Sequence, residues 1–361
     1  MSVTRILIVL ASTDRRGAEV EGAQLAGELL AAGLDVGVVA LCAGASPALD
    51  IEVLGRSALG LATLRAVRRR AIGVDVVIAY GSSTLPACAM AMAGIRTPFV
   101  YRSIGDPQRW VRGRLHRWRT GVLFRRAAHV VALWPAAGAS ISSLYGVPGN
   151  RISCIANARH AASVECAVSK MAARASLGLP SKGPIIAWVG ALVAEKQPEI
   201  AVRAVAELSD GYLAIAGDGP LRPVLADEAA VLLEGRHRFL GVLDDLVPLW
   251  VAADAVMLTS RTEGMPGVLI EAALHGVPVT AADVGAVRSV VIDDVTGRLV
   301  AHDADVSTIA KALADTLTNA ERLGGGAVAH AVERFTWSVV TPQWVELVNR
   351  VGSKRRSTRS P

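Results

Sequence analysis

Residues 260–279 read SRTEGMPGVLIEAALHGVPV. The stretch opens as a Gly- and Pro-bearing loop, continues as an apolar run with the length of a buried helix, and stops at Gly276. DAVMLTS just before it and VPVTAA at its end are short aliphatic strands. Strand, loop, helix and strand in that order make one unit of a parallel α/β sheet. In such sheets ligands bind beyond the carboxyl ends of the strands, against helix starts. Two acids fall at that junction: Glu263 in the loop and Glu271 about one turn into the helix. Free N–H groups at a helix start attract anions, so a pair of acids there calls for a ligand that is more than an anion.

The same rhythm runs through the rest of the chain. RILIVLA, DVGVVAL, VDVVIAY, TPFVYRS, AHVVALW and RISCIAN read as buried strands in the first half, with helical runs such as AEVEGAQLAGELLAAG and PACAMAMAG between them. Residues 158–183 lose the strand signal and read as a connector. GPIIAWVG, YLAIAGDG, HRFLGV, DAVMLTS, VPVTAA and GRLVAH then restart the pattern. FTWSVVTPQWVELVNRV reads as a last helix anchored by Trp337 and Trp344, followed by the basic tail GSKRRSTRSP, expected to be disordered. The expectation is an α/β chain of two doubly wound Rossmann-like domains. The first covers residues 1–165 and is completed by a helix at about 337–352. The second covers 182–336, and the tail 353–361.

Composition allows this and narrows the function. A chain of 361 residues with 52% apolar content can build two sizeable cores. No run of about 18 apolar residues is present, so no membrane-spanning helix is expected. The opening apolar stretch Ile6 to Ala11 is short and soon followed by Asp14, Arg15 and Arg16, as in a first strand rather than a signal peptide. Cys42, Cys88, Cys154 and Cys166 show neither paired nor metal-like spacing and read as reduced thiols of a cytoplasmic protein. No strand leads into G-x-G-x-x-G, which disfavours a nicotinamide cofactor, and no cofactor is expected. Asp303 and Asp305 resemble a metal-binding D-x-D. They precede a helical run, so a helix-capping role is preferred and no metal is assigned.

A carboxylate only accepts hydrogen bonds. Two of them beside a phosphate-binding helix start fit a ligand that carries hydroxyls as well as phosphate, such as a sugar nucleotide. Gly264 and Gly267 would let backbone approach it closely, and Met265 lies in the same loop. Read alone, the two glutamates are better explained as a helix-dipole acid, Glu271, and a solvated loop acid, Glu263.

The second half resembles the retaining glycosyltransferases of family 4, which have the GT-B fold of two domains facing across a cleft. The resemblance is carried by WVGALVAEKQPEIAVRAVAEL with its E-K loop, AGDGPL, the E-x7-E pair Glu263 and Glu271, and VTGRLV. The first half matches more loosely, through RRGAEVEGAQLAGELLAAGLDV, AHVVAL and IAN ending at Asn157. The resemblance implies that Glu263 lies by the donor sugar, that Glu271 binds the nucleotide ribose, and that Lys196 binds the diphosphate. Glu263 and Lys196 are thus the catalytic candidates. The donor-binding candidates are Arg16, Gly17, Arg261, Gly264, Met265, Gly267 and Glu271. The chain departs from the family pattern at four places. The histidine that the family has after the fourth strand of its first domain is missing from YRSIGDPQRW, where Arg102 and Asp106 stand with no role assigned. Ala191 replaces the arginine of the G-R-L turn, with Arg261 or Arg16 as candidate substitutes. Ser289 replaces the acid of G-G-x-x-E, and Arg16 replaces the first glycine of the N-terminal loop.

Charge is unevenly spread. Residues 1–165 hold nineteen Lys and Arg against ten Asp and Glu, and residues 166–361 hold nineteen against twenty-two. Residues 102–126 contain eight arginines and one acid, with Val111, Leu115, Trp118 and Val122 at helical spacing. That pattern fits an anionic membrane surface and fits equally a helix packed on the core with solvated arginines. No nucleic-acid-binding module accompanies the charge, so no nucleic-acid partner is expected.

The function expected is transfer of a sugar from a UDP- or GDP-sugar to a hydroxyl acceptor, either lipid-linked or a surface glycan of a polysaccharide pathway. The expected location is the cytoplasm, with peripheral attachment to the inner face of the plasma membrane open. A nucleotide-sugar epimerase of the same fold and a non-catalytic nucleotide-sugar-binding protein are the alternatives.

Overall fold

The computed structural model describes residues 4–15, 17–44, 48–81, 83–110, 113–161 and 168–357. Arg16, Val111, Cys166 and the tail beyond Ser357 lie outside the described residues. The chain forms two compact units, residues 1–158 with 337–361, and residues 159–336.

The first unit runs β1 (Arg5–Ser12), α1 (Gly17–Ala31), β2 (Asp35–Cys42), β3 (Glu52–Val53), α2 (Leu61–Ile72), β4 (Val76–Tyr80), α3 (Thr84–Ala91), β5 (Phe99–Arg102), α4 (Arg114–Arg126), β6 (His129–Ala132), α5 (Pro135–Tyr145) and β7 (Ile152–Cys154). The second runs α6 (Lys170–Ser176), β8 (Ile185–Val189), α7 (Pro198–Ala206), β9 (Tyr212–Ala216), α8 (Arg222–Leu233), β10 (His237–Gly241), α9 (Val247–Ala252), β11 (Ala255–Leu258), α10 (Gly267–Leu274), β12 (Val279–Ala282), α11 (Val287–Val290), β13 (Gly297–Val300), α12 (Val306–Thr318) and α13 (Ala320–Arg334). The last helix, α14 (Trp337–Ser357), returns to the first unit.

Every strand pairing in the two sheets is parallel. The orders are β3-β2-β1-β4-β5-β6-β7 and β10-β9-β8-β11-β12-β13. In each sheet the winding direction reverses once, between β1 and β4 and between β8 and β11. Diverging loops open a crevice at such a point. Helices cover both faces, so the central strands are buried along their length, which is why they read as unbroken aliphatic runs.

In the first unit, α14 buries Trp337, Val340, Trp344, Leu347, Val348 and Val351 among Ile6, Ile8, Leu25 and Leu29. The helix runs on to Ser357, past the point at 353 where the sequence reading begins a disordered tail. The expected connector also holds more structure than its sequence shows. Ser169 caps α6 by accepting from the Ala172 N–H at 3.2 Å, and Arg174 donates to Asp254 at 2.7 Å. Asp254 in turn accepts from the Ile185 N–H at 2.6 Å, so this segment is tied to the second unit, which begins at Arg159.

The expected apolar stripe on the basic helix does not face the core. Leu115 and Trp118 are 69% and 63% exposed, while Gly121 and Phe124 are the buried positions of α4. Phe124 stacks on Tyr145 with ring centroids 4.8 Å apart, and this α4–α5 contact sets the helix rotation.

Loops leaving the carboxyl edge of the second sheet pack backbone on backbone. A Cβ on Gly217 would lie 1.9 Å from the Gly190 carbonyl oxygen, and one on Gly285 would lie 2.0 Å from that of Glu263. Both glycines also have left-handed backbone, with φ of 130° and 55°.

Three substitutions probe the stability of this packing. Trp344→Ala should lower unfolding free energy by about 3–5 kcal/mol, against ~0.5 kcal/mol or less for the exposed Trp118→Ala, read from urea unfolding curves. Gly285→Ala should cost about 1–3 kcal/mol by the same measurement. Gly325→Ala in α13, where a Cβ would meet nothing within 4 Å, should be neutral or stabilise by ~1 kcal/mol.

Candidate functional site

The crevice between β8 and β11 in the second unit is built from two loops that hold each other. The loop after β8 carries Ala191 and Lys196, and the loop after β11 carries Arg261, Glu263, Gly264 and Met265. The Arg261 N–H donates to the Glu195 carbonyl at 2.9 Å. Thr259, at the end of β11, accepts from the Trp188 indole N–H at 3.0 Å. Its hydroxyl lies 2.9 and 2.8 Å from the carbonyls of Lys196 and Gln197. The buried Trp188–Thr259 contact therefore fixes the stem from which both loops spring.

Across this stem Lys196 Nζ donates to Glu263 Oε1 at 2.6 Å, with side chains 29% and 10% exposed. The third loop, after β12, closes over Glu263, with the Ala286 N–H donating to the Gly264 carbonyl at 2.8 Å. Glu271, one turn into α10, is also paired. Arg159 Nε donates to its Oε1 at 2.6 Å, with side chains 11% and 25% exposed. Desolvating a lone carboxylate is costly, and each acid here has a cation to offset that cost. The structure adds a partner for each carboxylate, Lys196 for Glu263 and, for Glu271, Arg159, which the sequence reading does not identify. Each has one oxygen engaged and a second to offer.

The structure gathers Lys196, Glu263, Gly264, Met265, Gly267 and Glu271 at one strand–helix junction of the second unit. Met265 is buried, and Arg261 is exposed in the same loop. Gly17 opens α1 of the first unit, where a Cβ would meet nothing within 4 Å. Arg16 lies outside the described residues. Ala191 is exposed, and the Leu192 N–H after it donates to the Asp218 carbonyl at 3.0 Å. Sequence reasoning missed Arg159, which falls in a stretch that reads as linker. Its signal was a long cation just after IAN, near the start of the connector.

Arg102, the residue standing where a histidine was sought, is fully buried and has a structural task. It donates to the Ile155 carbonyl and, at 2.9 Å, to Asn157 Oδ1. It sits 3.7 Å from the buried Glu21 and 5.6 Å from the Trp344 ring centroid. The arginine binds the end of β5 to the departing chain and to α14. Burial pushes the phenol of neighbouring Tyr80 far above its ordinary range. Asp305 caps α12 by accepting from the Thr308 N–H at 2.8 Å, and no metal-like cluster occurs among the described residues.

Cavities elsewhere have a simpler origin. One of about 870 Å³ lies at the amino ends of β5, β6 and β7, lined by Arg96, His129, Arg151 and Arg350. Arg151 there donates to the Arg125 and Ala127 carbonyls at the end of α4, the ordinary use of a cation beside a helix C-terminus.

Comparison with known proteins agrees with the fold of the two units. The family model described as Glycosyltransferase Family 4 matches residues 15–161, and that described as Glycosyl transferases group 1 matches residues 183–319. A protein of Nocardia farcinica named D-inositol 3-phosphate glycosyltransferase is 40% identical over 185 residues, 47% of this chain and 41% of its own. A Salinispora tropica protein of the same name is 34% identical over 218 residues, 55% of this chain and 45% of its own. The chain therefore matches less than half the length of these curated relatives. Among solved structures, Anabaena Alr3699/HepE in complex with UDP-glucose superposes with a TM-score of 0.81 at 23% identity, covering 96% of this chain and 99% of that one. WaaG, a glycosyltransferase involved in lipopolysaccharide biosynthesis, superposes with a TM-score of 0.75 at 18% identity, covering 95% and 99%. The two models together span well over half of the sequence, and the chain belongs to the family 4 glycosyltransferases, with their GT-B fold of two Rossmann-like domains.

Proposed function

We propose that the protein is a retaining glycosyltransferase that takes a sugar from a nucleoside-diphosphate sugar, UDP- or GDP-linked, and attaches it to a hydroxyl acceptor. The observation that carries this reading is the junction at β8 and β11. There a cation–carboxylate pair, Lys196–Glu263, and a second carboxylate, Glu271, flank the start of α10. The relative solved with UDP-glucose supports a donor of that class.

In this reading the anomeric carbon loses its bond to the diphosphate oxygen and gains one to the acceptor oxygen on the same face. The acceptor's proton leaves with the diphosphate. The protein's task is positioning, plus stabilisation of the negative charge that develops on the leaving group. Lys196 is the point charge for that diphosphate. The oxygen of Glu263 that Lys196 leaves open accepts from a donor-sugar hydroxyl, and the second oxygen of Glu271 accepts from the ribose. Gly267 brings backbone N–H groups close to the phosphates.

The acceptor is lipid-linked or a growing surface glycan, met by the protein as a peripheral enzyme on the inner face of the plasma membrane. Support comes from α4, where exposed Leu115 and Trp118 stand among Arg114, Arg117 and Arg119. A cavity of about 710 Å³ beside them is lined by Arg114, Arg117, Trp118, Arg125 and Tyr145. Arginines with an adjacent indole suit anionic headgroups at an interface. No described helix is long and apolar enough to cross a membrane, so attachment would be by surface contact.

Two experiments test these statements. Donor hydrolysis should be measured across a panel of UDP- and GDP-hexoses. Glu263→Gln should reduce it by about 100-fold or more in a variant that still unfolds in a single cooperative transition above the assay temperature, and hydrolysis at the wild-type rate would remove Glu263 from the chemistry. In flotation with phosphatidylglycerol vesicles at low salt, the wild type should rise with the vesicles. The triple variant Arg114→Ala, Arg117→Ala, Trp118→Ala should stay in the soluble fraction. Equal behaviour of the two would end the membrane assignment.

A further inference from the structure

The loop that carries Lys196 ends on a residue whose backbone is out of keeping with its side chain. Gln197, just before Pro198 and the first turn of α7, has φ 48° and ψ 52°, in the left-handed region. A residue with a Cβ is disfavoured there. Two other described non-glycine residues have positive φ, and each has a local reason. Glu234 closes α8 at its C-cap, where left-handed backbone is ordinary. Asp294 turns the chain before β13 and accepts from Arg322 at 2.8 Å. Gln197 instead opens a helix, where an extended cap is the rule, and its side chain makes no cap bond. Pro198 disfavours right-handed helical backbone at 197 but leaves extended backbone open. The left-handed turn is therefore held by what Gln197 touches.

Those contacts lie on the chain that leads to Glu263. The turn brings the carbonyls of Lys196 and Gln197 onto one hydroxyl, that of Thr259, at 2.9 and 2.8 Å. The side-chain amide has one orientation in which both of its ends meet a complementary group. In it, Nε2 donates to the Thr259 carbonyl at 3.3 Å and Oε1 accepts from Arg261 Nε at 3.2 Å. The amide thus clasps the loop after β11 on both sides of Ser260. Lys196 directly precedes Gln197, and Glu263 follows soon after Arg261. One side chain therefore ties together the two stretches that carry the Lys196–Glu263 pair. Glycine would adopt the same backbone without strain but could not make this tie.

We infer that Gln197 is a positioning residue for sugar transfer, its amide holding the loops after β8 and β11 at the separation where Lys196 meets the departing diphosphate and Glu263 the donor sugar. The inference rests on the proposed function and deepens it. Gln197 acts through Lys196 and Glu263 and needs no contact with the donor. Arg261 serves here as the anchor of the amide, and its other donors are not called upon. The charge of Lys196 is worth most where negative charge develops, so a small displacement of this frame costs rate more than ground-state affinity.

The test separates the side chain from the turn. Gln197→Gly and Gln197→Ala both remove the amide, but only glycine relieves the backbone. Steady-state hydrolysis is measured on the UDP- or GDP-hexose that the wild type turns over fastest, with urea unfolding of the same samples. Gln197→Gly should be the more stable of the two variants. Both should nonetheless lose kcat alike, by roughly ten- to a hundredfold, with KM changed by no more than about threefold. If the alanine variant does not fold, the glycine variant carries the comparison with the wild type. Wild-type kcat in Gln197→Gly overturns the inference, since the turn alone would suffice. Activity that follows stability, with glycine well above alanine, overturns it too. So does a loss confined to KM, because the frame would then serve ground-state binding alone. Each of these outcomes leaves the proposed function standing while the wild type hydrolyses the donor and Glu263→Gln does not. A wild type that hydrolyses no sugar nucleotide overturns the proposed function together with the inference.

Discussion

The site depends on how closely the loops at the carboxyl edge of the second sheet can approach one another. Parallel strands all end on the same edge, so the loops after β8, β9, β11 and β12 must turn in one small volume. They do so by backbone contact. Gly217 lies on the Gly190 carbonyl, Gly219 on Leu192, and Gly285 on Glu263, each at a distance that excludes a Cβ. Hydrogen bonds between loops, such as Arg261 N–H to Glu195 O and Ala286 N–H to Gly264 O, then fix their register. Because the backbone does the packing, the side chains of Lys196 and Glu263 are left to pair across the two loops. Their pairing at 2.6 Å is a consequence of that frame.

The first unit solves the same edge problem with a charge. Arg102 at the end of β5 is surrounded by Tyr80, Glu21, Asn157 and Trp344 and is closed off from solvent. A buried guanidinium needs acceptors and a counter-charge, and it finds the acceptors on the chain leaving β7 and the charge in Glu21 of α1. This gathers to one point the strand end, the exit toward the second unit and the returning α14. The crossing strands are tied as well, through the Arg159–Phe335 hydrogen bond. Arg159 therefore has its backbone set by the chain crossover and its side chain set by Glu271.

The strands were legible in the sequence because both faces of each sheet are covered, which leaves uninterrupted runs such as VDVVIAY and GPIIAWVG. The loop–helix junction at 260–279 was legible for the same reason, since strand, glycine loop and helix follow each other directly. What could not be read locally was pairing across distance. Glu271 meets a residue 112 positions earlier and Glu263 one 67 positions earlier, and neither partner is marked by periodicity. Helical spacing in 111–122 gave the helix of α4 but not its rotation. Gly121 and Phe124, which pack on Tyr145, decide that, and they leave Leu115 and Trp118 outward. The connector hid α6 because it is a helix of only seven residues, whose buried Arg174 gains meaning only from Asp254, 80 residues away.

The charges at the junction bear on selectivity as well as affinity. Two cations and two carboxylates sum to no net charge, so a bare phosphate meets repulsion from Glu263 and Glu271 beside attraction from Lys196 and Arg159. A nucleoside alone brings hydroxyls for the acids but nothing for the cations or the helix start. On the proposed function, only a ligand that carries both, with hydroxyls on either side of a diphosphate, satisfies Lys196, Glu263, Glu271 and the N–H groups of α10 together. Discrimination of this kind comes from the polar groups a wrong ligand leaves unsatisfied. Acids at an anion-binding helix start are then no contradiction, because they make binding of the anion conditional on the sugars attached to it.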